Sequence, residues 1–429
     1  MRSFIASLLY LLAAVTCSVS ICHPVVAQSN SAQEVAGSRD DFAIVKHFRA
    51  SGSQQEIGAQ LYQLALEHDW QPSEVADRAK YDAQLNYLRV NWPAQFEKLE
   101  GIAAARGEDL ATSNYNFTDL GYAEVAGGCS CFYIPPALST SEGGLFSRNY
   151  DFTTGAFDRQ PVTETNPPAC SRPYIIETHP DEGYSTIGVV CFDFLGIMDG
   201  MNSEGLTVAL LADDEIMSTQ YFPSPGGRAG LGVVDVPRFL LETCATCEEA
   251  KRALYQAKLF YQFIPCHYLV ADRYGNSFIW ENKAAMNDGE AFDGNGELQI
   301  TTNFMVHLHA DELDSLPAEP APWGSFNRYC RVRELVEQSG SAISLEDTCR
   351  IASSVAANYK YNQGDIPART LWHSVYDPDR REMRVDFYLG EGEDTAIAPG
   401  DGAYPRTQVR RSDYLTFTLT QPATTQSGR

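Results

Sequence analysis

Apolar positions recur with helical spacing early in the chain and alternate further on. Ile57, Leu61, Leu64 and Ala65 fall on one helical face, and Leu85, Leu88 and Val90 follow the same rule less cleanly. Pro93 breaks or starts a helix, and the pattern resumes from Phe96 to Ala105. Phe42 to Leu110 therefore reads as mostly helical. From Gly128 the period shortens. Gly128-Cys129-Ser130-Cys131-Phe132 opens a strand, a turn-rich loop runs from Ser139 to Gly144, and Leu145 to Phe152 returns, so the pair reads as a hairpin. More strands are expected at Ser185 to Phe194 and Gly205 to Leu211, with a turn from Met201 to Leu206. Tyr268 to Ala271 and Ser277 to Glu281 flank the turn Asp272 to Asn276, and Leu298 to Phe304 is a further strand. Helices are expected over Val236 to Leu254, Arg328 to Glu337 and Leu345 to Asn358, and a closing strand pair over Leu371 to Tyr376 and Glu382 to Leu389. Runs of strands alternating with runs of helices favour an α+β protein over a doubly wound sheet.

The first 27 residues read as a signal peptide, not as fold. Arg2 gives a positive start, Phe4 to Val15 an apolar core, and Val25-Val26-Ala27 small or aliphatic residues before a cut at Gln28. That core is short and interrupted, and no later segment is long enough to span a bilayer. The expectation is export and release, secreted or periplasmic. A polar, Thr/Gln-rich tail occupies 416–429. The net charge of −24 argues against nucleic acid as a partner, which needs a basic face. Removing the signal leaves nine of the eleven cysteines. An exported chain so equipped is expected to carry disulfides. If one cysteine stays free, eight could pair, and the count chooses neither the pairs nor the free one.

The hairpin brings Cys129 near Arg148 and Asp151. A nearby cation favours thiolate, and a carboxylate can orient a base, so a cysteine so flanked is a plausible nucleophile. Cys131 is its rival. Both face the same side of a strand, but Phe132 follows Cys131 where a hydroxyl residue follows Cys129. Cys129 could instead be half of a disulfide, and Arg148 with Asp151 a surface ion pair, which is common and weak.

Cys-Ser followed by a hairpin and then Ser147-Arg148-Asn149-Tyr150-Asp151-Phe152 resembles the cysteine N-terminal-nucleophile hydrolases. That group includes bile-salt hydrolases, penicillin V acylases, isopenicillin N acyltransferases and acid ceramidase with its amidase relatives. Ser147 stands where their glycine is common. The resemblance implies a four-layer αββα sandwich with a helical N-terminal leader. The leader would cover 28–128 and the catalytic domain 129–415. Gly52 to Gly58 and Leu99 to Ala103 are similar to the leader of the acyltransferase branch, which is cut off yet stays bound.

An N-terminal cysteine carries its own base, because its α-amino group titrates at roughly 7.7–8.0, near the pH where a base works best. Release of that amine requires scission of Gly128–Cys129, and a glycine there would remove side-chain obstruction and permit an unusual backbone angle. By resemblance, Asp151 holds the amine and Arg148 lies beside the thiol. Asn303, within Thr301-Thr302-Asn303-Phe304, supplies an oxyanion donor, although a strand-end asparagine is by itself more often a turn former. Arg328, within Ser325-Phe326-Asn327-Arg328, helps fix the nucleophile, against the plain reading of an arginine opening a surface helix. The second asparagine of the bile-salt branch is missing. Ala212 or a neighbour stands there, so either a backbone N–H substitutes or the oxyanion site differs.

Other features carry less. Cys244-Ala-Thr-Cys247 is a lone C-x-x-C with a structural role more expected than a redox one. His307-Leu-His309 with Asp311 lacks a completing zinc signature. Asn116-Phe117-Thr118 is a sequon, meaningful only in a host that glycosylates. The chain thus reads as an exported, self-processing hydrolase of a small-molecule N-acyl amide, with no metal or organic cofactor implied. An acyltransferase that passes the acyl group to an amine is the alternative. A disulfide-rich exported binding protein is the alternative of another class. Substrate identity and oligomeric state are not legible.

Overall fold

The computed structural model describes residues 31–419 apart from 123–127, 157–161, 164–165, 218–228, 261–263, 283–287, 360–366, 394–397 and 402–403. The expected signal peptide and the end of the expected tail lie outside the described residues. The described residues start with two strands, β1 (Gln33–Gly37), which was not foreseen, and β2 (Ile44–Gly52), which replaces helix at the start of the segment Phe42 to Leu110 read as mostly helical. Helices α1 (Gln54–Leu66), α2 (Arg78–Asn91) and α3 (Pro93–Arg106) follow. Ser53 and Glu56 form a reciprocal capping box that starts α1. Pro93 sits in the first turn of α3, where its missing N–H costs nothing.

The expected hairpin is present as β3 (Gly128–Ile134) and β4 (Leu145–Thr153). Strand β5 (Tyr174–Pro180) was not foreseen. After it come β6 (Thr186–Val190), β7 (Asp199–Asn202) and β8 (Thr207–Ala212). A single turn of helix, α4 (Asp214–Met217), precedes α5 (Asp235–Thr243) and α6 (Cys247–Gln256). The one helix expected over Val236 to Leu254 is therefore two. Thr246 caps α6 by accepting from the Glu249 amide, and that local cap outcompetes continuation of α5. The remainder is β9 (Cys266–Ala271), β10 (Ser277–Asn282), β11 (Gly289–Asp293), β12 (Gln299–Thr301), α7 (Ser325–Ser339) and α8 (Leu345–Ser354). The closing pair is β13 (Ala368–Asp377) and β14 (Glu382–Glu391). Four short strands end the chain: β15 (Ala398–Asp401), β16 (Tyr404–Arg406), β17 (Val409–Arg411) and β18 (Leu415–Thr418). The segment read as a polar tail thus starts as a strand paired with β14.

Two sheets stack. One has nine strands in the order β1-β2-β5-β6-β7-β8-β9-β10-β11. It is antiparallel except where β2 runs parallel to β5. The other runs β12-β3-β4-β13-β14, with both β17 and β18 on β14. β3 packs across onto β8 and β9 of the first sheet, α1, α5 and α6 cover the outer face of the nine-stranded sheet, and α7 and α8 cover the other. The layers are therefore αββα, as expected. With both faces covered, strands such as β8 are buried at every residue and do not alternate.

The segment expected to be a leader is part of this fabric. α1 and α3 cross so closely that a Cβ on Gly58 would strike the Lys98 backbone, and one on Gly101 the Gln55 carbonyl. Lys98, on α3, is buried against Glu242 of α5, and Trp92 Nε1 donates to the same carboxylate at 3.0 Å. On β2, His47 and Arg49 reach Glu177 of β5. Burial would raise the Glu177 carboxyl, but its bonds to His179 and His47 and the charge of Arg49 hold it at about 2.

Candidate active site

The register of the β3–β4 hairpin sets Cys131 opposite Arg148, Cys129 opposite Tyr150 and Gly128 opposite Asp151. Cys129, Arg148 and Asn303 are at most 1% exposed. Arg148 Nη2 donates to the Cys129 sulfur at 3.4 Å and to the Leu210 carbonyl at 3.3 Å, and its Nη1 to Asp199 at 3.0 Å. Its guanidinium also lies over the rings of Tyr150 and Trp372, at 4.5 and 5.1 Å. Burial alone would lower the Arg148 pKa. The neighbouring Cys129 and Asp199 outweigh it, so the cation is retained.

Asn303 follows β12 and reaches back across both sheets. Its Oδ1 accepts from the Cys129 amide at 2.9 Å and from Arg328 Nη2 at 2.7 Å, while its Nδ2 donates to the Ala212 carbonyl at 2.8 Å. Two donors fix which end of the amide faces Cys129. The second Nδ2 hydrogen remains for another acceptor. Arg328 lies in the first turns of α7, buried and not on the surface. Its Nη1 donates to the Cys129 carbonyl and, at 2.8 Å, to Ser130 Oγ. Asp151 accepts from Thr370 Oγ1 at 2.5 Å and stands 3.9 Å from Arg328. Burial raises the Asp151 carboxyl, against Arg328, Thr370 and Arg148, which lower it.

The structure thus brings all five predicted side chains together around residue 129. The thiol, the amide nitrogen and the carbonyl oxygen of Cys129 each have a separate polar side chain. Cys131 lies on the same strand with Arg148 nearby, but Asn303 and Arg328 bond residue 129. Burial pushes the Cys129 thiol above its usual range, while Arg148, Arg328 and the backbone N–H of Ala212 pull the other way. Gly128 adopts no left-handed angle. A Cβ there would only touch Asn303 Oδ1, at 3.5 Å. The unusual backbone angle that glycine permits is not used here, because residue 128 is an ordinary part of β3.

Asp199, Trp372, Tyr376 and Thr370 belong to this site and were not foreseen. Asp199 is wholly buried and accepts from Arg148, from Trp372 Nε1 at 3.0 Å and from Tyr376 OH at 2.7 Å. One signal was available: an aspartate set in the apolar run Phe194 to Met201 must find a partner if buried. The weaker motifs go elsewhere. His307 and His309 bond Glu281 and Glu215, both of which also take amides of the loop after Asn303. Cys247 starts α6 and donates to the Asn276 carbonyl, and Asn116 caps its own turn. All nine cysteines from Cys129 to Cys349 are thiols, so no bridge is shown. Among the described residues no group of His, Cys, Asp or Glu is arranged to hold a metal ion, and no helix is long and apolar enough to cross a membrane.

The αββα layering, with Cys129 buried on β3 between the two sheets, is that of the N-terminal-nucleophile hydrolase fold. Within it, residues 138–394 match the acyl-coenzyme A:6-aminopenicillanic acid acyl-transferase family, and the chain belongs to that family. The match includes Arg148, Asp151, Asn303 and Arg328 and begins after Cys129. Similar solved structures include the conjugated bile acid hydrolase of Clostridium perfringens, at 18% identity over 68% of this chain and 97% of that one, TM-score 0.43. The penicillin V acylase of Agrobacterium tumefaciens is 18% identical over 63% and 84%, TM-score 0.42. The N-acylethanolamine-hydrolyzing acid amidase ortholog of Caenorhabditis elegans is 17% identical over 58% and 93%, TM-score 0.38. No curated protein matches.

Proposed function

We propose that the chain is an exported hydrolase of linear N-acyl amides that cleaves itself to expose Cys129. The observation that carries this is the separate fixation of the Cys129 sulfur, nitrogen and carbonyl oxygen by Arg148, Asn303 and Arg328. In the first stage the Cys129 thiol gives up its proton and adds to the Gly128 carbonyl carbon. The C–N bond to Cys129 breaks, its nitrogen takes a proton, and a thioester joins Gly128 to the sulfur. Water then cleaves the thioester and frees the leader's new carboxylate. In turnover the freed amine accepts the thiol proton as sulfur attacks the substrate carbonyl. It returns that proton to the departing amine, and water releases the acid. The spare Asn303 hydrogen and the Ala212 N–H are the candidate donors to the oxyanion. Asp151 and Asn303 orient the amine, and no metal or organic cofactor takes part.

The family's name supports a second reading, in which an amine and not water takes the acyl group. Supplying an acyl donor with and without added amine, and measuring free acid against new amide, separates the two. Intact mass and N-terminal sequencing of the wild type and Cys129→Ala test the cleavage. Two fragments, starting near Gln28 and at Cys129, are expected for the wild type and one chain for the variant. An active wild type with Gly128–Cys129 intact would refute the proposal and favour another nucleophile, and an inactive, intact one with Cys129 bridged would favour a binding protein.

A further inference from the structure

Two thiols that the proposed chemistry does not use stand beside the site. Cys170 precedes β5 and Cys191 directly follows β6, at the end of the hairpin where Tyr174 pairs with Val190. Their sulfur atoms are 3.2 Å apart, and the side chains are 3% and 1% exposed. An approach of about 1 Å would bring them to the ~2.05 Å of a disulfide bond. Cys170 also holds a left-handed φ of 56°, an angle that a residue with a Cβ seldom keeps without something fixing it.

We propose that Cys170 and Cys191 form a cystine clasp in the working protein. The oxidant is a disulfide, small or borne by a partner protein. The Cys170 thiolate attacks one of its sulfurs, and a first thiol leaves. Cys191 then loses its proton and attacks the Cys170 sulfur of the mixed disulfide, and a second thiol leaves. The protein loses two hydrogens, and the oxidant becomes two thiols. Cys170 is placed first because its sulfur has two hydrogen-bonding neighbours, Cys191 Sγ and Tyr150 OH, that can support a thiolate.

The clasp supports the reaction centre from behind. Tyr150 OH meets Cys170 Sγ at 3.4 Å, and the Tyr150 ring stacks on Trp372 with centroids 4.0 Å apart. Arg148 lies on both rings. The same corner receives the leader, since Ser171 O accepts from Ile44 N and Tyr122 OH donates to the carbonyls of Arg172 and Val190. Closing the bond therefore fixes the seat of the Arg148 stack and the leader's docking edge together.

The test uses the wild-type protein, equilibrated in glutathione buffers from fully reducing to fully oxidising, quenched in acid, denatured, alkylated and mapped by mass spectrometry. A peptide linking Cys170 to Cys191 should appear under oxidising conditions, with both residues alkylated under reducing ones. Cys170→Ser should free Cys191 for alkylation at every ratio. Both residues alkylated in the most oxidised sample, or either one linked to a different cysteine, would overturn the clasp. Cys129→Ala mapped in parallel should give the same link, so the outcome is independent of which residue is the nucleophile.

Discussion

Replacement of Asp199 by alanine is expected to be among the most damaging single changes in this chain. The carboxylate and Arg148 are both fully buried and 3.0 Å apart. Alanine strands the guanidinium, and removing one partner of a buried pair costs about 3–5 kcal/mol. It also leaves the donors Trp372 Nε1 and Tyr376 OH unmet, each worth about 1–3 kcal/mol when nothing replaces the acceptor. These terms overlap, so the expected loss is about 5 kcal/mol. That is a third or more of the 5–15 kcal/mol that typically holds a domain folded. Asparagine at this position would keep the shape and an acceptor for Arg148 and Trp372, so Asp199→Asn should cost about half as much, roughly 2–3 kcal/mol. Urea unfolding is the assay, run in a Cys129→Ala background so that one intact chain unfolds. The midpoint should fall with m unchanged. A shift for Asp199→Ala within the roughly ±0.5 kcal/mol of a surface substitution would refute the assignment of Asp199 as the counter-ion.

Three more outcomes are expected. Gly101→Val forces a side chain into the Gln55 backbone and should cost about 1–3 kcal/mol by overpacking, read as a lower urea midpoint with the leader still attached. Asp193 is buried and Asp235 half-buried, and desolvation raises both to about 7, with help from Asp119. A carboxyl raised in the folded state contributes stability that is complete below the unfolded value near 3.9 and is lost as pH rises through 7. Stability should therefore decline between about pH 4 and 7, and Asp193→Asn, whose amide oxygen can still accept from Leu120 and Leu195, should flatten the decline. Ser53→Ala removes the cap of α1 and should cost about 1 kcal/mol, seen as a lower thermal midpoint.

The hairpin and the side chains it gathers were legible because they are local. A period of two fixes which residues share a face, and Cys129, Arg148 and Asp151 lie within one strand–turn–strand unit. The leader strands were not legible because β2 reads Ile-Val-Lys-His-Phe-Arg-Ala-Ser-Gly, where basic residues interrupt the apolar alternation. Its parallel partner β5 lies far along the chain, beyond any window on sequence, and Glu177 and His179 disguise it in turn. Asp199 was missed because β7 spans only four residues: Met201 and Asn202 fell in the expected turn, and Asp199 lay before it, outside every expected element. Asn303 and Arg328 were placed by their motifs. Their bonding to opposite ends of the Cys129 peptide unit needed the second sheet and α7 to be folded against β3.

The parallel pairing of β2 with β5 sets a condition on the lifetime of the protein. If Gly128–Cys129 is cut as proposed, the two pieces are held by a shared ladder and by packing with no covalent tether. The first separation of the pieces then turns recovery into an encounter between two molecules, slower as the solution is diluted. Heat that the uncut precursor would survive by folding again becomes, for the cut form, permanent inactivation whose pace is set by how fast the ladder opens.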